Sequence, residues 1–432
     1  MARALLLSSL LATTASFQWL VVGGGPQGVH VAGRLLREVD GLALDDVCIV
    51  DDEDALLRKW KTRAENTGMR YLRSPASLHL GDGERELLRH AEAHAPRIDK
   101  REPPFAPDYA RPRLDVFNDH CDFLVDAHGL AAAHRRGEVV AVADAGDAYA
   151  VTVRRAGGDE TLRAANVVLA VGGGAPAYPA WARGSAAVSH VFDDGFALGG
   201  GRVAVVGGGL SAAHLALRLG GRVDVVCRHG LREQQFDTHQ DWMATAAARR
   251  LMGKGPTDRQ VSFAGIADVA ERRRVVRRER RSGTVPAAAS RGRRGLKYAI
   301  ASGDVRWHEA DVAALRDAGR RRRPRADDGR RRSGTRVVLA TGFGAGPPAR
   351  PLVDAAARGL GAALAPCGYP VPGLAGSAGT TAGRARSPPG ARGARARAVR
   401  AEPRRRAPRV GRIVAARGGV VTGGSPVFNI NC

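Results

Sequence analysis

A chain of 432 residues with 44% hydrophobic content is long enough to bury two or three domain cores, while 55 glycines and 5% aromatics mark part of it as poor core material. Its formal net charge of +24 comes from one end alone, since residues 1–250 hold 29 Lys+Arg against 31 Asp+Glu and residues 251–432 hold 38 against 12. Five dispersed cysteines (Cys48, Cys121, Cys227, Cys367 and Cys432) without a CxxC pair exclude a zinc ribbon and a dithiol redox motif.

Residues 1–16 open with Met1-Ala2-Arg3, continue through the apolar run Ala4–Ala12 and end on small residues. Two readings stand: a secretory signal, which sends the chain to a secretory or organellar compartment, or an additional helix or frayed end on a cytoplasmic protein. The run is too short to span a bilayer, and no transmembrane segment is expected.

The first clear element is the buried strand Trp19-Leu20-Val21-Val22. It runs into Gly23-Gly24-Gly25-Pro26-Gln27-Gly28, a helix with apolar spacing over Val29–Val39, and a second buried strand, Val47–Asp51. In a GxGxxG turn of this kind Gly23 permits the tight bend, Gly25 lets a pyrophosphate approach the backbone, and Gly28 lets helix and strand pack closely. Asp51, 28 residues after Gly23 and at the end of the second strand, is placed to accept hydrogen bonds from ribose hydroxyls. Strand, glycines, helix, strand and acid in this order predict a Rossmann-like unit that holds a dinucleotide, read as FAD.

Residues 52–137 read as an excursion over the flavin or substrate, with helices over 84–94 and 115–134 and a Pro-rich loop over 103–112. His90 and His94 lie four apart on the first of these helices. With Glu92 between them the HExxH order is absent, so a solvated helical face is expected there and no metal. Short antiparallel strands follow at 139–143, 149–154 and 161–163, then the buried strand Val167–Gly172.

Val203–Val206 starts a second copy. Its turn is Gly207-Gly208-Gly209-Leu210-Ser211-Ala212, followed by a helix over Ser211–Leu219 and a strand over Val223–Cys227. Arg228, 21 residues after Gly207, stands where the first copy has an acid, and a cation there suits a 2′-phosphate, which favours NADPH over NADH. The stretch Gly209-Leu210-Ser211-Ala212-Ala213 approaches the GxSxG nucleophile elbow of hydrolases but lacks its last glycine. A hydrolase would also leave the first turn and Asp51 without a purpose.

Beyond residue 270 Arg clusters dominate, at Arg272–Arg274, Arg320–Arg323, Arg330–Arg332 and Arg404–Arg406, interleaved with Ala, Gly and Pro. Without stacking rings they make a poor groove for single-stranded nucleic acid. The composition is read as GC-rich coding bias or out-of-frame sequence rather than an evolved polyanion site, so no specific nucleic-acid partner is expected. Val337–Phe343 reappears as a strand running into Gly342, and no periodicity follows Leu374.

These motifs together resemble the two-dinucleotide flavoprotein monooxygenases, in particular the ornithine and lysine N-hydroxylases. The likeness is carried by Leu20–Gly28, the block Trp60–Pro75, Val203–Ala213, Arg228–Asp237 and Leu339-Ala340-Thr341-Gly342-Phe343, over roughly residues 17–350. The expected fold class is α/β, with two Rossmann-like dinucleotide-binding domains, the FAD domain discontinuous, and an Arg-rich disordered C-terminal tail. The expected boundaries are 17–175 for the first part of the FAD domain, 176–334 for the NAD(P) domain, 335–376 for the FAD return and 377–432 for the tail.

By resemblance Gly23–Gly28 and Asp51 hold FAD, with Trp60 on the flavin side of the excursion. Gly207, Gly209, Ser211 and Arg228 hold NADPH, and Thr341 and Gly342 end the strand that returns the chain to the FAD domain. The resemblance implies oxygen transfer from O2, through a flavin hydroperoxide, to a nucleophilic nitrogen or sulfur of a small substrate, with no catalytic acid or base named. The alternatives are an NAD(P)H-dependent flavin reductase without oxygen transfer, and a degenerate flavoprotein whose Arg-rich tail binds polyanions. Oligomeric state is not specified by these motifs.

Overall fold

The computed structural model describes residues 15–94, 102–198, 201–221, 223–243, 255–293, 295–315, 336–344, 346–360 and 412–415. All but the last two residues of the signal-like segment, and the Arg clusters at 320–323, 330–332 and 404–406, lie outside the described residues, as do Cys367 and Cys432.

The first unit is built on a sheet of seven strands. β1 (Ser16–Val22), α1 (Pro26–Glu38) and β2 (Val47–Asp51) form the expected strand-turn-helix-strand unit. Helices α2 (Arg58–Thr67) and α3 (Glu86–Ala93) follow, and then the short hairpin β3 (Phe105–Ala106) and β4 (Arg111–Pro112) inside the stretch expected to be loop. Next come α4 (Leu114–Ala127), α5 (Leu130–Ala133) and β5 (His134–Arg136). The expected helix over 115–134 is therefore two helices, broken at Gly129, whose φ of +61° suits glycine.

β6 (Glu138–Asp144), β7 (Tyr149–Arg155) and β8 (Gly158–Leu169) complete the unit. The segments at 161–163 and 167–172 are not separate strands. β8 runs continuously, pairing antiparallel with β7 over its first half and parallel with β1 over its second. The order β5-β2-β1-β8-β7-β6 puts a parallel half beside an antiparallel half, with β8 shared between them.

The second unit is a fully parallel five-stranded sheet, in which β9 (Val188–His190), β10 (Val203–Val206), β11 (Val223–Cys227), β12 (Val305–Glu309) and β13 (Arg336–Leu339) lie in the order β12-β11-β10-β13-β9. Helix α6 (Leu210–Leu219) follows its glycine turn. Between β11 and β12 lie α7 (Gln240–Met243), α8 (Asp258–Ala264), α9 (Val269–Glu279), α10 (Ala287–Ser290) and α11 (Leu296–Ala301). The first Arg cluster is thus ordered on α9, where the Asp268 side chain caps the helix by accepting from the N–H groups of Ala270 and Glu271.

Two boundaries differ from expectation. The strand of the Leu339-Ala340-Thr341-Gly342 motif does not return to the first sheet; β13 is an inner strand of the second, paired to β10 on one side and β9 on the other. The return is made by α12 (Arg350–Gly359), whose Leu352 and Ala356 pack with Leu20, Val22, Val142 and Leu169 of the first sheet. Within the stretch expected to be tail, β14 (Arg412–Ala415) pairs parallel with the second half of β8, so the first unit gains a strand from the far end of the chain.

Three large buried clusters, with a smaller fourth around Ala182, Val337 and Leu339 in the second unit, hold these layers together. One packs Val21, Val29, Ile49, Trp60, Leu72 and Phe117 between the first sheet and helices α1 to α4. Another covers the opposite face of that sheet, and the third fills the second unit around Val205, Leu215, Val225 and Leu296. Among the described residues no helix is long and apolar enough to cross a membrane.

Candidate dinucleotide sites

Both glycine turns lie at the carboxyl ends of parallel strands, where the strand order reverses, which is the crevice that ligands use in open α/β sheets. The turns are built alike. Gly23 has φ +111° and Gly207 φ +144°, and a Cβ on either would lie 2.4 Å from the carbonyl oxygen of the alanine just past the neighbouring strand, Ala170 or Ala340. No side chain other than hydrogen fits there. The Gly23 N–H donates to Val50 O at 2.8 Å and the Gly207 N–H to Val226 O at 3.0 Å, so each turn is fixed to its second strand.

The third glycine of each turn is the cradle. Gly25 is the N-cap of α1, Pro26 opens the helix, and nothing stands within 4 Å of where a Gly25 Cβ would be. The open space faces the helix N-terminus, whose partial positive charge favours phosphate. Gly209 is the N-cap of α6 and has one backbone neighbour at 3.7 Å, the Cα of Gly283, so the second cradle is open but flanked. A Cβ on Gly28 would collide with the Gly23 carbonyl, whereas Ala212 is accommodated at the matching position and fully buried.

Asp51 sits where the sequence places it. Its Oδ2 accepts from the Gly24 N–H at 2.5 Å and its Oδ1 from the Glu53 N–H at 2.9 Å, which fixes the carboxylate beside the turn and leaves each oxygen a further lone pair for a hydroxyl. In the neighbouring Asp52, burial would raise the pKa, but Lys59 Nζ at 2.8 Å outweighs it and holds the carboxyl below its ordinary value.

In the second unit the matching position is not Arg228. Val226 takes the role of Val50 in the hydrogen bond to the first glycine, so Cys227 is the register equivalent of Asp51, and Arg228 lies one residue further on, exposed. The middle glycines agree: a Cβ on Gly24 would press on Asp51, and one on Gly208 would collide with Cys227 Sγ. Arg228 makes no ion pair among the described residues. His229, which the sequence places beside Arg228 without a role of its own, sets its ring between Gly208 and Gly283 at the mouth of this turn, with Nδ1 2.8 Å from Gly230 O. Ser211 is half-buried in the first turn of α6.

Trp60 is not brought to the flavin turn as a free ring. It is 8% exposed in the core, its Nε1–H donates to Asn118 Oδ1 at 3.0 Å, and its ring meets Phe117 edge-on at 5.8 Å. Thr341 and Gly342 have a different task from ending a return strand. Thr341 Oγ1 donates to Ala177 O at 2.6 Å, the Ala177 N–H donates to Gly342 O at 2.9 Å, and the Gly344 N–H donates to Ala175 O at 3.0 Å. The outgoing and returning connections between the two units are therefore stitched to each other. Phe343 stacks on Phe192 with centroids 5.1 Å apart, and the Arg63 guanidinium of α2 lies over the Phe343 ring, 5.7 Å from its centroid.

Side chains from each unit also cap the other. Arg218 of α6 donates to the carbonyls of Glu65 and Asn66 at the end of α2, at 2.9 and 3.2 Å. Arg73 donates to Gln235 O and Gln234 O at 2.8 and 2.7 Å and to Thr284 Oγ1 at 2.8 Å. Burial lowers its pKa to about 10, which leaves it charged at neutral pH. Glycine fingerprints alone do not reveal these clamps. The three described cysteines are buried and unpaired, and burial pushes Cys48 up to about 11.

Residues 20–174 match the protein-family model described as FAD-NAD(P)-binding. No curated protein matches the sequence. The structure is similar to the reduced form of ornithine hydroxylase (PvdA) from Pseudomonas aeruginosa, at 19% identity and a TM-score of 0.52, with 76% of this chain and 83% of that one covered. It is similar to the ornithine N-hydroxylase KtzI from Kutzneria sp. 744 at 17% identity and a TM-score of 0.52, with 78% and 83% covered. Residues 20–174 are accordingly an FAD-NAD(P)-binding domain, carried in a chain that has the two-unit fold of the ornithine hydroxylases.

Proposed function

We propose that the chain is an FAD-dependent, NADPH-using oxidoreductase that transfers oxygen to a nucleophilic nitrogen or sulfur of a small substrate. The observation that carries the reading is the pair of matched cradles: two open glycine N-caps, each at the switch point of a parallel sheet, in one chain. FAD supplies hydride acceptance and oxygen activation when bound. The chain's own residues do the rest. Gly23, Gly24, Gly25 and Gly28 admit the FAD pyrophosphate, Asp51 takes the ribose hydroxyls, and the stitched connections through Thr341 and Gly342 keep the two units in register for hydride transfer.

NADPH is favoured at the second turn because Cys227 replaces the acid and the exposed Arg228 follows it, a guanidinium suited to a 2′-phosphate. Oxygen transfer to an amine is the reading that the ornithine hydroxylase fold suggests, both solved relatives being named for that reaction.

The test is to supply NADPH and O2 with small amines and thioethers and to measure hydroxylated product and hydrogen peroxide together. Product formed in proportion to NADPH consumed supports a monooxygenase. NADPH consumption that yields peroxide alone with every acceptor reduces the activity to that of a flavin reductase.

A further inference from the structure

On one side of the first unit four imidazoles touch. Ring centroids are 4.2 Å apart for His90 and His94, 5.1 Å for His90 and His120, and 5.2 Å for His79 and His120. The dinucleotide chemistry uses none of them. His120 is fully buried and its Nε2 lies 3.3 Å from Glu86 Oε1, while His79 Nδ1 accepts the Gly81 N–H at 3.0 Å, so these two are turned to internal partners.

His90 and His94 differ from them. Instead of a solvated helical face, His90 is 6% exposed, and its Nε2 lies 2.7 Å from Oδ2 of Asp119, which reaches across from α4. The Asp119 side chain is 45% exposed, so the pair sits at the rim of the core. His94 Nδ1 is 2.9 Å from the His90 carbonyl. The nitrogen facing a carbonyl must be the one that carries the proton, which assigns the lone pair of His94 to Nε2.

We propose that His90, His94 and Asp119 form a site for a divalent transition metal of the Zn2+ class, which pins α3 to α4. One ligand atom from each of the three residues lies within 4.8 Å of the others. Bonds of about 2.0 Å to a tetrahedral ion set ligand atoms roughly 3.3 Å apart, so side-chain rotation alone closes the site. Two imidazoles and one carboxylate suit Zn2+, Co2+ or Ni2+ and not Mg2+ or Ca2+, which prefer all-oxygen shells.

The His94 Nδ1–H bond to a backbone carbonyl is the outer contact that metal-bound imidazoles make. For metal entry the single ring proton of His90 moves to Nδ1, which frees the Nε2 lone pair for the ion, and the Asp119 carboxylate turns from accepting that proton to binding the metal. Phe123, 45% exposed, flanks both imidazoles at 5.1 and 5.9 Å and leaves the exposed side of Asp119 open, so water completes the shell.

The experiment titrates the full chain, purified without a polyhistidine tag, with Zn2+ by calorimetry and with Co2+ by visible absorption. Folding is checked by circular dichroism. The expected result is one ion per chain with the d–d bands of nitrogen and oxygen ligation. His94→Gln and Asp119→Asn should each weaken binding by at least about tenfold and abolish the rise in Tm that Zn2+ gives the parent chain. Both substitutions are at partly exposed positions, and if one variant does not fold the other decides. A parent chain that takes up no stoichiometric Zn2+, or a folded variant that binds as the parent does, overturns the proposal.

Discussion

Cys227 occupies in the second unit the position that Asp51 occupies in the first, each being the last residue of the strand beside its glycine turn, one residue past the carbonyl that holds the first glycine. An acid faces one cradle and a thiol the other. The cation at Arg228 is then the first residue beyond the strand.

Arg228 should therefore set coenzyme preference. Loss of a charge-assisted contact with a phosphate costs about 1.5–3 kcal/mol, so Arg228→Ala should raise KM for NADPH by roughly tenfold to a hundredfold and leave KM for NADH almost unchanged. Steady-state kinetics with both coenzymes check this, and equal losses with the two would remove Arg228 from the phosphate site.

The second cradle separates binding of the two dinucleotides. A Cβ on Gly209 meets Gly283 at an ordinary van der Waals distance, so Gly209→Val should fold, keep its flavin and lose reduction by NADPH while dithionite still bleaches it. A stopped-flow trace showing parental reduction by NADPH would place the nicotinamide dinucleotide elsewhere.

Trp60 should behave as a core residue. Trp60→Phe removes the hydrogen bond to Asn118 and should lower stability by about 1–3 kcal/mol with flavin affinity unchanged. Denaturant melts alongside flavin titration distinguish this from a flavin contact, for which affinity would fall while stability held.

Acid stability should carry the mark of Glu86. Its Oε1 lies 3.3 Å from His120 Nε2, and its Oε2 accepts the Asp82 N–H at 2.7 Å, which together lower its pKa to about 2 in spite of burial. A carboxyl whose folded pKa lies below its unfolded value near 4.5 stabilises the fold fully above that value and loses the contribution as pH falls from about 4.5 to about 2. Glu86→Gln should be less stable at neutral pH and should show a shallower loss of Tm across that window.

Much of this was legible in the sequence. Strand, glycines, helix and strand in fixed order define both sheets, because a turn that must admit a diphosphate tolerates no Cβ at Gly23 or Gly207. Counting from the glycine misplaces the acid position in the second unit. The span from helix to second strand runs from Glu38 to Val47 in one unit and from Leu219 to Val223 in the other, and only the hydrogen bond from Gly207 to Val226 fixes the register.

The sheet that owns Val337–Leu339 was not legible either, since a buried parallel strand reads the same in either unit and its neighbours, β10 and β9, are far away in the chain. Asp119 lies on a different helix from His90 and His94, so a pattern of spacings along one helix left the imidazoles without their carboxylate.

Every step proposed for the chain depends on the Gly23–Gly28 turn holding FAD. The absorption spectrum of the purified chain and of Gly25→Val tests it most directly, because a valine there is compatible with φ −73° and ψ −176° and occupies the open cradle without disturbing the fold. The parent should be yellow, with a flavin spectrum that NADPH bleaches, and the variant folded and colourless. A parent that holds no flavin when supplied with FAD, or a Gly25→Val chain as yellow as its parent, would contradict FAD binding at that turn.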